Sequence, residues 1–437
     1  MKIAITTVGT RGDLQPYVAL GLGLQEAGYE VLLISAKNEE NFARNYGLEF
    51  FALNVDIQKL MEGDEVQKMS KGNNPIKFII SHLKGSKKLK KLMVATQAEI
   101  WNGCQNADII IFHPGMPLGF FIAKEFGKIS VMANPFPIIA TKDYPSILFY
   151  TGPRLGKTFN LITHFILEKL FWALSKPAIK KFWLNTVKSK MNFSISPIKQ
   201  QINSGMPVIN GYSEHLFHQP NDWSKNIHTT GSWIIEKEPN FTPPTDLVNF
   251  IGRGNPPIYI GFGSMKDMSA FKATFEIILR ALEITNQRAV VGLGWSNLNY
   301  TEPIPENVFL VETVPHSWLF PQMSIVVHHG GAGTTSMGLT AGKPTIIIPH
   351  NADQPAWGQR VYELGVGSKP IKKTKLTADK LASAILYALK PEIVAKAEQL
   401  GQKLRKENGV KTAVKIIDDY FKTNQENRDK SKKHELQ

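Results

Sequence analysis

Three groups of residues in the chain have the types and spacing to do chemistry. The first is the run His328-His329-Gly330-Gly331-Ala332-Gly333-Thr334-Thr335. Its glycines let a backbone come close to an anion, its threonines add hydroxyl donors and the His329 ring adds an N–H, a set suited to phosphate. Tight turns and close helix–strand packing select glycine too, so the run by itself fits both readings. The second group is Asp353-Gln354, a carboxylate beside an amide, which together offer acceptors and donors to the vicinal hydroxyls of a sugar. A phosphate site beside a polyol site suggests a nucleotide sugar. The third is the turn Gly9-Thr10-Arg11-Gly12-Asp13, where Asp13 fits two roles, the N-cap of a following helix or a general base beside a hydroxyl.

The elements that must position these groups read as βαβ units. From Ser324 to Gly367 a β-branched run (Ile325 to Val327) leads into the glycine turn and a helix, and after Lys343-Pro344 comes a second apolar run, Thr345 to Ile348. Continuous apolar runs of this kind suit strands buried on both faces of a parallel sheet. The glycine turn then opens a helix at the carboxyl edge, where free N–H groups and the dipole favour an anion. The chain's opening repeats the plan: strand Lys2 to Val8, the turn, helix Leu14 to Ala27 closed by Gly28, then strand Glu30 to Ser35. Gly-Thr-Arg-Gly is not the dinucleotide fingerprint, and no acid stands at the end of strand two to take a ribose.

Further strands are predicted at Ala107 to His113, Ile129 to Ala133 and Pro207 to Asn210, with a helix from Leu118 to Phe126. Their end loops, His113 to Pro117 and Asn134 to Pro137, share the edge with Asp13. His113 suits a second acid/base group, an acceptor-binding residue or a hydrogen-bonded structural histidine. The aromatic stretch Tyr144 to Trp183 reads either as an amphipathic helix packed on the domain or as the wall of a site for a large apolar molecule with a basic rim. A Pro-rich polar stretch at 236–256 marks a linker between a first domain (1–235) and a second (257–411). The second opens with strand Pro257 to Gly261, helix Phe271 to Thr285 and strands Arg288 to Gly292 and Val308 to Val311. A returning helix is expected at 412–421, and the charged, apolar-poor tail 422–437 reads as disordered.

At 437 residues the chain exceeds one ordinary core, and 43% hydrophobic with 20% charged residues is a soluble globular composition. Its one cysteine, Cys104, excludes an intramolecular disulfide framework and suits a reducing cytoplasm. The net charge of +14 is concentrated at Lys84 to Lys91, Lys176 to Lys190 and the tail. It fits a solvated lysine-rich face, nucleic acid, an anionic substrate or an anionic membrane. No secretory signal precedes the first strand, and no 18-residue apolar run is present.

The segments HHGGAGTT and AGKPTIIIPHNADQPAWGQRVYELGVG closely resemble the donor-binding signature of the UDP-glycosyltransferase superfamily, in the branch holding sterol 3-β-glucosyltransferases and bacterial antibiotic and glycolipid glycosyltransferases. The likeness runs over nearly the whole chain apart from the polar tail. It implies the α/β GT-B fold, two Rossmann-like parallel-sheet domains facing across a cleft. It also implies an inverting transfer of a hexose, glucose by default, from a UDP-sugar co-substrate to a hydroxyl of an apolar acceptor such as a sterol, triterpenoid, other lipid or polyketide. His329, Gly331, Gly333, Thr334 and Ser264 would hold the pyrophosphate, and Asp353 and Gln354 the hexose. Many relatives stack a Trp on the base; this chain has Thr313-Val-Pro-His316, leaving uracil to the backbone of Val314 and His316. In this branch the Asp of the Gly-Ser/Thr-Arg-Gly-Asp turn is the favoured base, which points to Asp13. Thr10, Arg11, His113, Pro135 and Phe136 would line the acceptor side.

No metal, other cofactor or nucleic acid is implied, in keeping with the lack of an Asp-x-Asp sequence. The resemblance suits a cytoplasmic protein, peripheral contact with anionic membrane being an option for its basic segments. Two alternatives on the same fold are a non-catalytic nucleotide-sugar binder, and an epimerase or phosphate-releasing enzyme.

Overall fold

The computed structural model describes residues 1–7, 9, 11–56, 87–235, 238–239, 241–262, 268–294, 303–350 and 353–435. The chain divides into two compact units, Met1–Ser146 with Arg154–Ile234 and Asn408–Gln437, and Ile147–Pro153 with Ile235–Glu407.

Among the described residues the first unit is built on a seven-stranded parallel sheet in the order β3-β2-β1-β4-β5-β6-β7. Its strands are β1 (Lys2–Thr6), β2 (Glu30–Ala36), β3 (Glu49–Leu53), β4 (Ile109–Phe112), β5 (Ile129–Asn134), β6 (Val208–Asn210) and β7 (Ile227–Thr229). β4 and β5 are buried along their whole length. That explains why β4 reads as an unbroken apolar run and why β5 does not alternate apolar with exposed polar residues, its Ser130 and Asn134 being buried too. β1 lies between β2 and β4, with Thr6 opposite Ile34 on one side and Phe112 on the other. The strand order reverses here, so the loops after β1 and β4 leave in opposite directions and open a crevice at the carboxyl edge. Those are the loops of Asp13 and His113.

The second unit repeats this logic with five strands in the order β10-β9-β8-β11-β12: β8 (Ile258–Gly261), β9 (Ala289–Gly292), β10 (Val308–Val311), β11 (Val326–His328) and β12 (Thr345–Ile347). Its reversal falls between β8 and β11, which puts the His329 loop at the switch point. Ile258, Ile260, Val327 and Ile346 meet Phe275, Leu282 and Ile385 in a core with almost no solvent exposure. Burying each such side chain contributes about 1.5–3 kcal/mol.

Three elements differ from expectation. The helix after β1 spans Arg11–Glu26, three residues earlier than the apolar period suggests, because its first turn is polar and faces the sheet edge. The proline-rich stretch expected as linker contains the helix Thr245–Gly252. The final helix runs Gly409–Glu435, through the segment expected to be disordered. Low apolar content argues only that 422–435 has no core face; its Lys, Gln, Glu and Arg are good helix formers, and no Gly or Pro interrupts them. An exposed Lys422–Asp418 pair spaced i,i+4 links this extension to the packed turns. Upstream, Tyr29 donates to Asp418 Oδ1 at 2.7 Å, which fixes the returning helix to the first unit.

Candidate active site

In the first unit the turn after β1 is closed tightly around Asp13. Gly9 has φ +152°, and a Cβ there would overlap the Asp13 side chain, so glycine is required. Asp13 is half-buried in the first turn of the helix Arg11–Glu26 and is its third residue rather than its cap, where a carboxylate still complements the helix dipole. One turn on, the fully buried Tyr17 donates to Ala133 O of β5 at 2.6 Å. Burial first, and the Asp13 carboxylate second, raise its phenol well above the ordinary range. Tyr17 is thus a neutral wedge between the β1 and β5 loops.

His113 stands against the same wedge, its ring 5.8 Å from Tyr17 and 5.9 Å from Phe136, both edge-on. Gly115 donates its backbone N–H to His113 Nδ1 at 2.8 Å. That contact makes Nδ1 the acceptor and leaves the proton on Nε2, which is buried and finds no partner among the described residues. Burial pushes the imidazole down to about 4, so it stays neutral. Thr7 Oγ1, Asn134 Oδ1 and Asn210 Nδ2, at the ends of β1, β5 and β6, are likewise buried without partners. Unpaired buried polar atoms are costly and uncommon; these collect along one sheet edge. Of the other expected residues, Pro135 is buried beside Phe136, the Arg11 guanidinium lies 4.4 Å over the Phe42 ring, and Thr10 falls outside the described residues.

Sequence reading placed no acid at the end of β2, yet Glu39, three residues beyond it, is buried against this turn. Asn38 donates to its Oε1 at 2.6 Å. Burial raises its carboxyl, Arg11 counters that, and Asp13 and Asp56 add to it. Glu39 therefore faces the charged groups of the β1 turn rather than a ribose.

In the second unit Gly331 is the N-cap of the helix Ala332–Thr340. The preceding Gly330, at φ +95°, packs so closely that a Cβ would stand 2.6 Å from Ile347 and 3.2 Å from Gln354. This contact brings the glycine turn and the Asp353-Gln354 pair together. His328 Nδ1 accepts the Gly330 N–H at 2.9 Å and fixes the turn from below. His329 lies over Gly331, where an added Cβ would be 2.9 Å from Nε2. Beside Gly333 an added Cβ would meet no atom of the described residues within 4 Å, the helix's own backbone and chain neighbours aside. Thr334 is half-buried there, whereas Thr335, expected as a second hydroxyl donor, is buried and bonds the Gly331 carbonyl at 2.8 Å.

Both polyol-binding candidates are held in place. Gln354 Oε1 accepts the His350 backbone N–H at 2.7 Å, and Asp353 Oδ2 accepts from Trp357 Nε1 at 2.8 Å. Burial pushes His329 down to about 4 and His350 to about 3, so the edge holds neutral imidazoles beside a helix N-terminus. Val314 is half-buried. His316 adds more than the backbone contact expected of it: its ring stacks on Phe320 at 4.3 Å, and its Nε2 is 3.3 Å from the Tyr259 hydroxyl. Gly261 and Gly292 leave the room that the Tyr259 phenol occupies. Ser264 lies outside the described residues. Among those described, no group of three or more His, Cys, Asp or Glu side chains is arranged to hold a metal ion.

Residues 3–144 match the glycosyltransferase family 28 N-terminal domain, and residues 276–413 match the erythromycin biosynthesis protein CIII-like C-terminal domain. Over 429 residues the chain is 34% identical to the sterol 3-beta-glucosyltransferase UGT80B1 of Arabidopsis thaliana, covering 95% of this chain and 67% of that protein. The chain belongs to the UDP-glycosyltransferase superfamily, in its sterol glucosyltransferase-like branch. A sterol 3-beta-glucosyltransferase of Sclerotinia sclerotiorum is 31% identical over 95% of this chain, which spans only 29% of that longer protein. Among solved structures, the glycosyltransferase of kitacinnamycin superposes with a TM-score of 0.68 at 16% identity, covering 96% of this chain and 98% of its own. The fold is therefore GT-B, with the strand-end loops of each sheet carrying the family's signature residues.

Proposed function

We propose that this chain transfers a hexose from a UDP-sugar to the hydroxyl of an apolar acceptor, inverting the anomeric centre and using no metal. The observation that carries the reading is the contact of Gly330 with Ile347 and Gln354, which sets a helix N-terminus and a carboxylate–amide pair side by side. The N-terminus and His329 suit the pyrophosphate, whose negative charge grows as the sugar leaves; oriented N–H donors stabilise such charge without reorganising. Asp353 and Gln354 suit the hexose hydroxyls, and Val314 with His316 the base. The first unit supplies Asp13 as the base for the acceptor hydroxyl. The acceptor oxygen bonds to the anomeric carbon as the carbon–oxygen bond to UDP breaks, and its proton passes to Asp13. Glucose and a sterol 3-hydroxyl are the first substrates to try, because the relatives' names carry them.

His329→Ala is expected to weaken UDP binding about tenfold to a hundredfold, the worth of one hydrogen bond to a charged group, as read by calorimetry. The broader test is incubation with UDP-glucose and a panel of sterols, triterpenoids, flavonoids and polyketides, with EDTA present. A hexose adduct with stoichiometric UDP release supports the reading. Tight UDP-glucose binding with no adduct from any acceptor favours the non-catalytic binder, and adduct formation that EDTA abolishes removes the metal-free mechanism.

A further inference from the structure

The helix Lys157–Phe182 carries an outer face that the transfer reaction does not use. Its inner face is tied to the segment after the β5 loop. Thr163 Oγ1 accepts the Ser146 N–H at 2.8 Å, Asn160 Nδ2 donates to Lys142 O at 2.7 Å, and His164 Nε2 is 3.1 Å from Tyr144 O. The outward positions Ile162, Phe165, Lys169, Lys176 and Lys180 recur three, four and seven residues apart, so they form one stripe along the helix. Ile162 is 50% exposed and Phe165 58%, and Leu155 just before the helix is 65% exposed. Such a stripe is ordinarily polar. Lys169 Nζ sits 5.2 Å over the Phe165 ring, its aliphatic stem along the aromatic face and its charge outward.

Charge separates the possible occupants. Residues 151–190 hold eight Lys and Arg against the single acid Glu168, giving seven of the chain's fourteen net positive charges. Glu168 itself is half-buried and accepts from Ser196 Oγ. A second copy of this chain docked symmetrically would set this positive face against itself. Nucleic acid would pair with the lysines and leave Leu155, Ile162 and Phe165 in water. An anionic bilayer takes both, the apolar side chains below the headgroups and the ammonium groups among the phosphates.

We propose that this stripe docks the first unit on an anionic lipid bilayer, with Leu155, Ile162 and Phe165 inserted and Lys169, Lys176 and Lys180 on the headgroups. The helix carrying the docking face is hydrogen-bonded through its inner face to the chain that continues from Phe136, so the sheet edge carrying Asp13 and His113 shares a unit with it. The purpose, taking an apolar acceptor from the membrane, rests on the proposed transferase reading; the docking itself does not.

The test is co-sedimentation of the full chain with vesicles of phosphatidylcholine alone or with about one third phosphatidylglycerol, over a salt series. Binding to the anionic vesicles that weakens with salt, and little binding to the neutral ones, is expected. Ile162→Glu with Phe165→Glu, and separately Lys169→Glu with Lys180→Glu, should each weaken it about tenfold or more. These positions are exposed, so thermal unfolding and transfer to a water-soluble acceptor should match the parent chain. That activity control keeps failure of docking distinct from failure of the transferase reading. The proposal is overturned if the parent chain ignores anionic vesicles, or if both double variants bind them as well as the parent. A dimer in gel filtration that Phe165→Glu dissociates, with no vesicle binding, would assign the face to a second copy.

Discussion

Asp13→Asn is expected to lower kcat for sugar transfer by about 10²–10⁴-fold, the range for loss of a positioned general base. The asparagine fills the same space beside Gly9 and can still accept hydrogen bonds at the helix N-terminus, so the turn should survive. What it loses is the ability to take a proton. UDP affinity should stay within about twofold, because the proposed donor site is on the other unit's loops and only the chemical step is touched. Removing one charge from the first turn costs about 0.3–1 kcal/mol, a change that thermal unfolding would register without explaining the rate. Two outcomes would sink the assignment: undiminished turnover, or a loss of turnover matched by equal loss of folded protein. Glu39 supplies an independent check. It is buried facing Asp13 and Arg11, so Glu39→Gln removes a like charge from the surroundings of the proposed base. The acid limb of the pH–rate profile should then move to lower pH, an effect that a purely structural Glu39 would not produce.

What was legible in the sequence, and what was not, divides along physical lines. Buried parallel strands announce themselves as unbroken apolar runs, and glycine turns at their ends mark where a backbone must turn with positive φ. That sufficed to locate Asp13, His329, Asp353 and Gln354 at strand-end loops. Glu39 was not legible, because its place beside Asp13 depends on β2 pairing with β1, a register that local periodicity does not carry. The same holds for His316. Its partners Tyr259 and Phe320 come from a strand and a turn on either side of it, so the stack exists only after the sheet has formed. The final helix was misjudged for another reason: composition reports whether a segment can build a core, whereas an exposed helix needs only propensity and an anchored end. Thr335 shows the limit of motif reading. Its hydroxyl was expected to face a phosphate, but it lies one residue too far into the helix and closes onto Gly331 instead.

The chain should also lose stability steeply as pH falls from about 6.5 towards 4. Burial lowers His113, His164 and His329 to about 4 and His350 to about 3, and holds His328 well below its usual range, all against an ordinary value of 6.5. The sign follows from proton counting. Between the folded and unfolded values the unfolded chain binds more protons, so the stabilisation is complete above about 6.5 and drains as pH falls to the folded values. Each group titrating in that window contributes up to about 1.4 kcal/mol per pH unit. Two acting together already rival the marginal stability of a domain within a few units. Urea unfolding followed by tryptophan fluorescence should show a midpoint constant from pH 8 to 7 and falling below 6.5, and His113→Gln should flatten part of that fall. A midpoint unchanged down to pH 5 would mean that these rings are not buried as described. The proposed donor site adds a second arm. A diphosphate over His329 favours its protonated form, so UDP should stabilise the chain more at pH 5.5 than at 7.5. If UDP protects equally at both, its phosphates do not rest against His329, and the helix N-terminus alone holds them.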